Sequence, residues 1–159
     1  MAAPAPTARA TPGGIALRDG HSTLLTCALD DDIEFWEKEV QPIGFDGGDA
    51  VDTTTMHNTT VRTKASRTLI DVTEATTNAA YDPGVLDSIL AILNVETTWT
   101  ITFPDGSTWA FFGYLRVANP QSVAEGAQPE IAINIQPTNT DPANGWVEAV
   151  PFLTNVAGT

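Results

Sequence analysis

Alternation of polar and apolar residues in the second half of the chain restricts the fold class more than any other feature. Thr98, Thr100 and Thr102 alternate with Trp99, Ile101 and Phe103. In a later stretch the alternating residues are Glu130, Ile131, Ala132, Ile133, Asn134, Ile135 and Gln136. A period of two residues is typical of strands that bury one face. The turn sequence Pro104–Ser107 joins the first stretch to a further apolar run from Trp109 to Val117, so we predict a β-meander.

One segment has the pattern of a helix, at about residues 82–93. Asp82 can cap the free amide groups of a first turn, and Pro83 suits the first helical position. A broad apolar stripe follows at helical spacing, and Asn94 can end the helix; the stripe is Val85, Leu86, Ile89, Leu90, Ile92 and Leu93. Further strands are predicted at residues 33–40 and 68–81. The chain is therefore predicted to be mainly β with one helix.

Length and composition exclude several classes of protein. The 159 residues and 16.8 kDa fit one domain, and the lone Cys27 can form neither an internal disulfide nor a cysteine-rich zinc site. The formal net charge of −13 argues against a clamp for nucleic acid. No signal peptide or membrane-spanning run is recognised, so we expect no membrane association and synthesis in a cytosol.

Composition also predicts how the domain is organised. Residues 1–13 hold three prolines without apolar periodicity, which indicates an extended N-terminal arm or, alternatively, a frayed terminus. Residues 14–137 form the predicted domain, interrupted by a long polar loop at about 44–66. Residues 138–159 are predicted to form a C-terminal arm that carries Trp146, Phe152 and Leu153. Two arms and a loop offer three ways to reach a neighbouring subunit.

Patterns of catalysis and metal binding are missing from the sequence. It has no nucleophile elbow, phosphate-binding loop, dinucleotide motif or zinc-binding His pair. His57 could be combined with Asp52 or Asp71 and Ser66 into a triad, but such trios occur by chance in most chains. The run from Asp46 to Asp52 lacks the alternation of a calcium loop and better fits a glycine-permitted turn. We therefore predict a protein that is not an enzyme, with no cofactor and no metal.

An ordered set of short motifs nevertheless resembles a known family. The motifs are Asp46-Gly-Gly-Asp, Asp52-Thr-Thr-Thr-Met-His-Asn, Arg67-Thr-Leu-Ile-Asp, Tyr81-Asp-Pro, Ile101-Thr-Phe-Pro-Asp-Gly-Ser, Gly113-Tyr-Leu and Ile135-Gln-Pro-Thr-Asn. Over residues 33–139 the chain resembles the major tail tube protein of bacteriophages with long, non-contractile tails. The resemblance implies a two-sheet antiparallel β-sandwich with one flanking helix. That fold is similar to the tubes of contractile tails and type VI secretion systems, so it does not separate those machines.

The family resemblance also implies a role and partners. Such subunits form hexameric rings that stack into a tube around a tape-measure protein, between tail terminator and distal tail proteins. DNA would pass through the tube as cargo without specific binding. The resemblance thus implies a virion tail protein that is assembled in the cytoplasm of the host cell and has no contact with membrane.

Two sets of residues become candidates for this assembly. The loop would bridge neighbouring subunits or rings through Asp46, Gly47, Gly48, Asp49, Asp52, Thr53, Thr54, Thr55, Met56, His57 and Asn58. The polar positions of the strands are candidates for the tube lumen, although the same face could lie outside: Thr98, Thr100, Thr102, Glu130, Asn134 and Gln136. An alternative from another class is a small acidic β-sandwich that binds carbohydrate or a host receptor through exposed tryptophans.

Overall fold

In the described part of the chain the architecture is mainly β, with one α-helix and a short 3-10 helix at Pro142–Asn144. A computed structural model describes residues 22–30, 33 and 35–154, so the predicted N-terminal arm at 1–13 lies outside the described residues. The strands before the helix are β1 (Leu24–Cys27), β2 (Glu37–Gln41), β3 (Phe45–Asp46), β4 (Val51–Asp52), β5 (Lys64–Ala65), β6 (Asp71–Val72) and β7 (Ala75–Ala80). After helix α1 (Pro83–Ala91) follow β8 (Glu96–Thr102), β9 (Thr108–Pro120), β10 (Glu130–Pro137), β11 (Thr140–Asp141), β12 (Val147–Glu148) and β13 (Phe152–Thr154).

Seven of these strands form one antiparallel sheet in the order β1-β8-β9-β10-β7-β2, with β13 added beside β9. The predicted hairpin is its centre: β8 and β9 pair from Thr102 and Thr108 to Glu96 and Tyr114. The turn is closed by the Phe103 amide, which donates to the Ser107 carbonyl at 2.9 Å. Strand β10 then pairs with β9 on one side and with β7 on the other.

The sheet curls around its core, and its two edges, β1 and β2, come close to each other. The Leu25 amide of β1 donates to the Glu37 carboxylate of β2 at 2.7 Å. The core inside the curl holds the apolar members of the alternating pattern, chiefly Trp99, Ile101, Ile131, Ile133 and Ile135. Burial of each isoleucine stabilises the fold by roughly 1.5–3 kcal/mol. The prediction of a mainly antiparallel, sandwich-like fold with one helix is confirmed, and its layers belong to one curled sheet.

Helix α1 closes the core at one side. The Asp82 carboxylate accepts from the Gly84 amide at 2.8 Å, and Pro83 occupies the first turn, as predicted. Ile89 and Ile92 are buried against the sheet, and the Asn94 amide donates to the Leu115 carbonyl at 3.0 Å. Asn94 has a φ of +61°, which ends the helical path.

Three segments differ from the sequence prediction. The long strand predicted at 68–81 is two strands, β6 and β7, and only β7 belongs to the main sheet. The strand predicted from residue 33 is shorter, because β2 begins at Glu37. In the predicted C-terminal arm, β11 and β12 pair with each other, and β13 returns to the main sheet beside β9.

Candidate assembly surface

The predicted loop is a projecting two-stranded hairpin, which we call the hairpin arm and define as residues 44–73. Strand β3 pairs with β6, and farther out β4 pairs with β5. At the base, the Gly44 amide donates to the Thr73 hydroxyl at 2.8 Å, and the Thr73 amide donates to the Gly44 carbonyl at 2.9 Å. From residue 45 to 71 every residue except Asn58 is exposed. The arm therefore contributes little to the core and is free to contact another molecule.

The glycine-rich motif forms a turn in the middle of the arm. The Asp46 carboxylate accepts from the Gly48 amide at 2.8 Å, and Gly48 has a φ of +69°, a conformation that favours glycine. Arg67 on the returning strand donates to the Asp49 carbonyl at 2.8 Å and joins the two sides. Within the described residues no group of three or more His, Cys, Asp or Glu side chains could hold a metal ion.

The tip of the arm is ordered by threonine and asparagine side chains. The Thr53 hydroxyl lies 3.1 Å from that of Thr63, and the Thr53 amide donates to the Thr63 carbonyl at 3.0 Å. Asn58 accepts from the Thr55 amide at 2.8 Å and donates to the Val61 carbonyl at 3.1 Å. These bonds close the turn around Met56 and His57, so the structure brings the predicted residues Thr53–Asn58 together.

Asp52 connects the tip to the ladder of the arm. Hydrogen bonds from the Thr54 hydroxyl and amide hold the pKa of the Asp52 carboxyl below its usual value of 3.8. Arg62 lies 3.8 Å from the same carboxylate, on a fully solvated part of the arm where an ion pair adds little stability. Asp52 thus orders the tip as an acceptor of hydrogen bonds from Thr54.

Large apolar side chains lie exposed along the arm. Between 46% and 102% of the surface of each is accessible: Val51, Met56, Val61, Leu69 and Ile70. At the base, the ring of Phe45 packs at 5.6 Å from that of Trp109, which anchors the arm to β9. Exposed apolar residues concentrated in one projecting element are typical of an interaction site. Sequence reasoning missed Val51, Val61, Leu69 and Ile70, although their position within a polar stretch was a usable signal.

The predicted lumen candidates share the face of the sheet that points away from the core. We call it the polar face and define it by Thr98, Thr100, Thr102, Glu130, Asn134 and Gln136. All six are half-buried, in strict alternation with buried core residues. They do not form one cluster, because β9 separates β8 from β10 in the sheet.

Basic residues beside the polar face are paired with carboxylates. The Lys38 ammonium forms an ion pair with Glu130 across strand β7. Arg116 donates to the Glu74 carboxylate at 2.8 Å, and the Asn134 amide donates to the same oxygen at 3.3 Å. These pairs neutralise the cations in this part of the described chain.

A second apolar surface lies near the C-terminus. Exposed residues come from the β11–β12 hairpin, from β13 and from the segment between them. We call them the C-terminal patch: Trp146, Val147, Val150, Phe152 and Leu153. Leu153 pairs with Trp109, the residue that also contacts Phe45 of the arm. The C-terminal patch and the base of the arm are therefore neighbours on one side of the molecule.

Within the described ranges, the structure contains no helix with the length and apolar character that spanning a membrane requires. Neither the scan of protein-family models nor the search of curated proteins found a match. Among solved structures, the chain matches one from the structure titled "Cryo-EM structure of the anti-feeding prophage (AFP) baseplate, 6-fold symmetrised". The match has a TM-score of 0.57 at 6% identity and covers 78% of this chain and 93% of the other. At this identity the likeness concerns the fold.

Proposed function

We propose that this protein is a structural subunit of a phage-type tail tube, which assembles as hexameric rings that stack through the hairpin arm. The observation that carries the proposal is the arm itself. It projects from the fold, is ordered by its own hydrogen bonds, and presents apolar side chains that no contact in the described chain covers. The exposed apolar side chains of the arm do not stabilise a monomer, whereas in a stacked ring they can be buried against the next subunit.

Charge gives the arm a preferred partner. Residues 53–70, which we call the distal arm, hold three basic residues, Arg62, Lys64 and Arg67, and no acidic one. The rest of the chain carries −16, the difference between the total of −13 and this +3. The distal arm is thus electrostatically complementary to the body of a second copy. Apolar contacts supply the affinity, and the charges orient the arm.

The structural likeness supports a tail-associated assembly. The matched chain belongs to the six-fold symmetrised baseplate of the anti-feeding prophage. Likeness of fold alone does not carry a function, so the argument depends on the arm and on the edges of β2 and β13 that pair with no further strand of the described chain. Edge strands that pair between neighbours in a closed ring would no longer be exposed, which would explain how β2 and β13 avoid aggregation.

The polar face is our candidate for the wall of the lumen. It presents hydroxyl and amide groups and the Glu130 carboxylate, and nearby Lys38 and Arg116 are engaged by carboxylates. Such a wall offers passing DNA few free cations to hold its phosphates, so DNA would move through it without adhesion. In this role the protein would belong to the virion tail, would act without enzymatic chemistry, and would contact tape-measure, terminator and distal tail proteins.

Electron microscopy of the purified protein tests the proposal. We expect hollow stacked rings with six-fold end views, and a density map with Thr100 and Asn134 facing the bore. A protein that stays monomeric at high concentration and in tail preparations would overturn the tube. A map with these residues on the outer wall would overturn only the assignment of the lumen.

Replacing Thr53–Asn58 by a Gly/Ser linker tests the arm. The monomer should keep its circular dichroism spectrum and melting temperature, because the replaced residues lie outside the core. Polymerisation should be lost, because the ordered tip is gone. As a control, the same linker in place of Ser122–Ala127, another exposed segment, should leave the tubes unchanged. Normal tubes from the arm variant would show that the tip does not bridge subunits.

One observation also fits the alternative of a binding module. Trp36 and Trp146 are each 60% exposed, as a platform for sugars would require. They lie in different elements, however, near β2 and in the β11–β12 hairpin. Quenching of tryptophan fluorescence by a sugar panel, without any assembly, would favour this alternative.

A further inference from the structure

Trp146, in the C-terminal patch, combines a strained backbone with an exposed side chain. It has a φ of +65°, a conformation that a bulky residue rarely adopts. Its amide donates to the Asp141 carbonyl at 2.9 Å, which closes the turn between β11 and β12. Burial within the described chain does not offset the strain, because 60% of Trp146 is accessible. Strained residues cluster at sites that contact other molecules, so Trp146 is a candidate for such a contact.

The segment that carries the patch is acidic. Residues 137–154 hold Asp141 and Glu148 and no basic residue, and Glu148 is exposed. The base of the hairpin arm, which neighbours the patch, adds the exposed carboxylates of Asp46 and Asp71 at opposite positions of the β3–β6 ladder. Like charges in such a pair repel each other. A basic surface placed against this side of the molecule would therefore be attracted to it.

The distal arm, residues 53–70, has the complementary surface. Apart from the paired Lys38 and Arg116, the basic residues of the described chain all lie there: Arg62, Lys64 and Arg67. Lys64 forms no hydrogen bond or ion pair with the described residues. Met56, at the tip, is fully accessible. Arm and patch are both exposed in the same chain, so the arm does not cover its own patch.

We propose that the distal arm of one copy docks on the C-terminal patch of a second copy. Met56 at the tip packs on Trp146, and the basic side chains of the arm lie beside Glu148. This inference rests on the proposed function, in which the arm joins copies, and it adds the surface that receives the arm. The patch lies beside the base of the receiving copy's own arm, so each copy can give one arm and receive one. Such a heterologous contact repeats from copy to copy.

Cross-linking between two different variants tests the contact. His57→Cys places a thiol at the tip of the arm, and Val147→Cys places one in the patch; both positions are exposed. The two full-length variants are mixed under the conditions of tube formation and treated with a short bismaleimide. Cys27 is buried, so the introduced thiols react first. The matched control mixes His57→Cys with Val123→Cys, whose thiol is exposed in the loop between β9 and β10.

We expect a product of two chains, with position 57 of one linked to position 147 of the other, and no such product in the control. Tubes without this link, or equal linking in the control, would overturn docking on the patch and leave the tube proposal standing. A link between copies that form no tubes would support the docking and overturn the tube. Absence of both link and tubes would overturn both.

Labelling of the dilute monomer tests whether the patch is available. The thiol of Val147→Cys should react with a maleimide as fast as that of Val123→Cys, because both positions are exposed. Much slower labelling at position 147 would show that another part of the same chain covers the patch, and would overturn the proposal.

A charge exchange tests the electrostatic part of the contact. Lys64→Glu and Glu148→Lys should each raise the critical concentration for polymerisation several-fold, and the two together should bring it back towards the original value. Lys64→Glu also weakens its own arm, because Asp52 lies opposite Lys64, but a change at Glu148 could not repair that defect. Glu125→Lys, on an exposed loop, should give no rescue. Equal rescue by both lysines, or none by Glu148→Lys, would count against the contact.

Replacement of Trp146 separates a docking role from a structural one. Trp146→Gly relieves the backbone strain, so the monomer should keep or raise its melting temperature. The critical concentration should nevertheless rise by about tenfold or more, as expected when an exposed tryptophan anchor is removed. A tryptophan that only stabilised the fold would show the reverse: a lower melting temperature and unchanged polymerisation. That result would overturn the docking of the arm on Trp146.

Discussion

The absence of a side chain at Gly113 allows strands β9 and β10 to approach each other closely. It lies in β9 beside Pro137 of β10, at the point where the two strands begin to pair. A Cβ atom on Gly113 would lie 2.5 Å from the Gln136 carbonyl oxygen, a contact with backbone that no change of rotamer relieves. The need for glycine here comes from close packing and not from its conformational freedom.

Replacing Gly113 by alanine should therefore reduce the free energy of unfolding by about 1–3 kcal/mol, as overpacking of a tight site does. Urea denaturation measures the loss. Gly47→Ala is the control, because a Cβ there meets nothing within 4 Å; its effect should stay within about 0.5 kcal/mol. Equal free energies of unfolding for the two variants would mean that β9 and β10 can move apart to accommodate a Cβ atom without loss of stability.

At the scale of elements, helix α1 depends both on a local N-cap and on packing against the sheet. Asp82 caps the Gly84 amide, and farther along the helix delivers Ile89 and, just beyond its last turn, Ile92 to the core. A helix of nine residues is too short to be stable alone, so its packing on the sheet and its cap must act together.

The variant Asp82→Ala removes the cap and should lower the free energy of unfolding by about 0.5–2 kcal/mol. Asp82→Asn keeps an acceptor oxygen and should lose clearly less. Thermal melts of both variants, followed by circular dichroism, make the comparison. If both lose the same amount, the charge of Asp82 and not its hydrogen bond to Gly84 matters.

For the whole molecule, the net charge of −13 opposes the proposed assembly. In the proposed tube each added copy would bring the same charge, so long-range repulsion would grow with the length of the tube. The proposed contacts between the basic distal arm and an acidic neighbour would act over only a few ångströms. Salt separates these two effects, because the Debye length falls from about 30 Å at 0.01 M to about 8 Å at 0.15 M.

Raising the salt concentration over this range should therefore lower the critical concentration for polymerisation. Salt screens the long-range repulsion between copies, while the contacts of the distal arm, which are shorter than the Debye length, persist. Sedimentation of polymer against total protein gives the critical concentration. In the variant that combines Arg62→Glu, Lys64→Glu and Arg67→Glu, the critical concentration should be higher at both salt concentrations. An unchanged value in this variant would exclude electrostatic docking of the arm.

Several elements of this protein can be predicted from local signals along the chain. The alternation in β8 and β10 predicts strands with one buried face, and the Asp82-Pro83 pair predicts the start of the helix. The polar loop at about 44–66 stood out through its glycine and threonine content, whereas Asp46–Asn58 became candidates through the family resemblance. In each case the deciding physics acts over a few residues: the period of the side chains, the capping of free amides, or the conformations that glycine permits.

Pairing between distant segments, and the exposure of particular apolar residues, could be learned only from the folded chain. Leu69 and Ile70 look like core residues of a strand, yet the arm carries them away from the sheet. Phe152 and Leu153 look like part of a free arm, yet β13 returns them to β9. The local sequence shows that such residues are hydrophobic, but it does not show which residues they pack against in the fold. Strand pairing joins residues far apart in the chain, so the partner and not the local pattern determines what is buried.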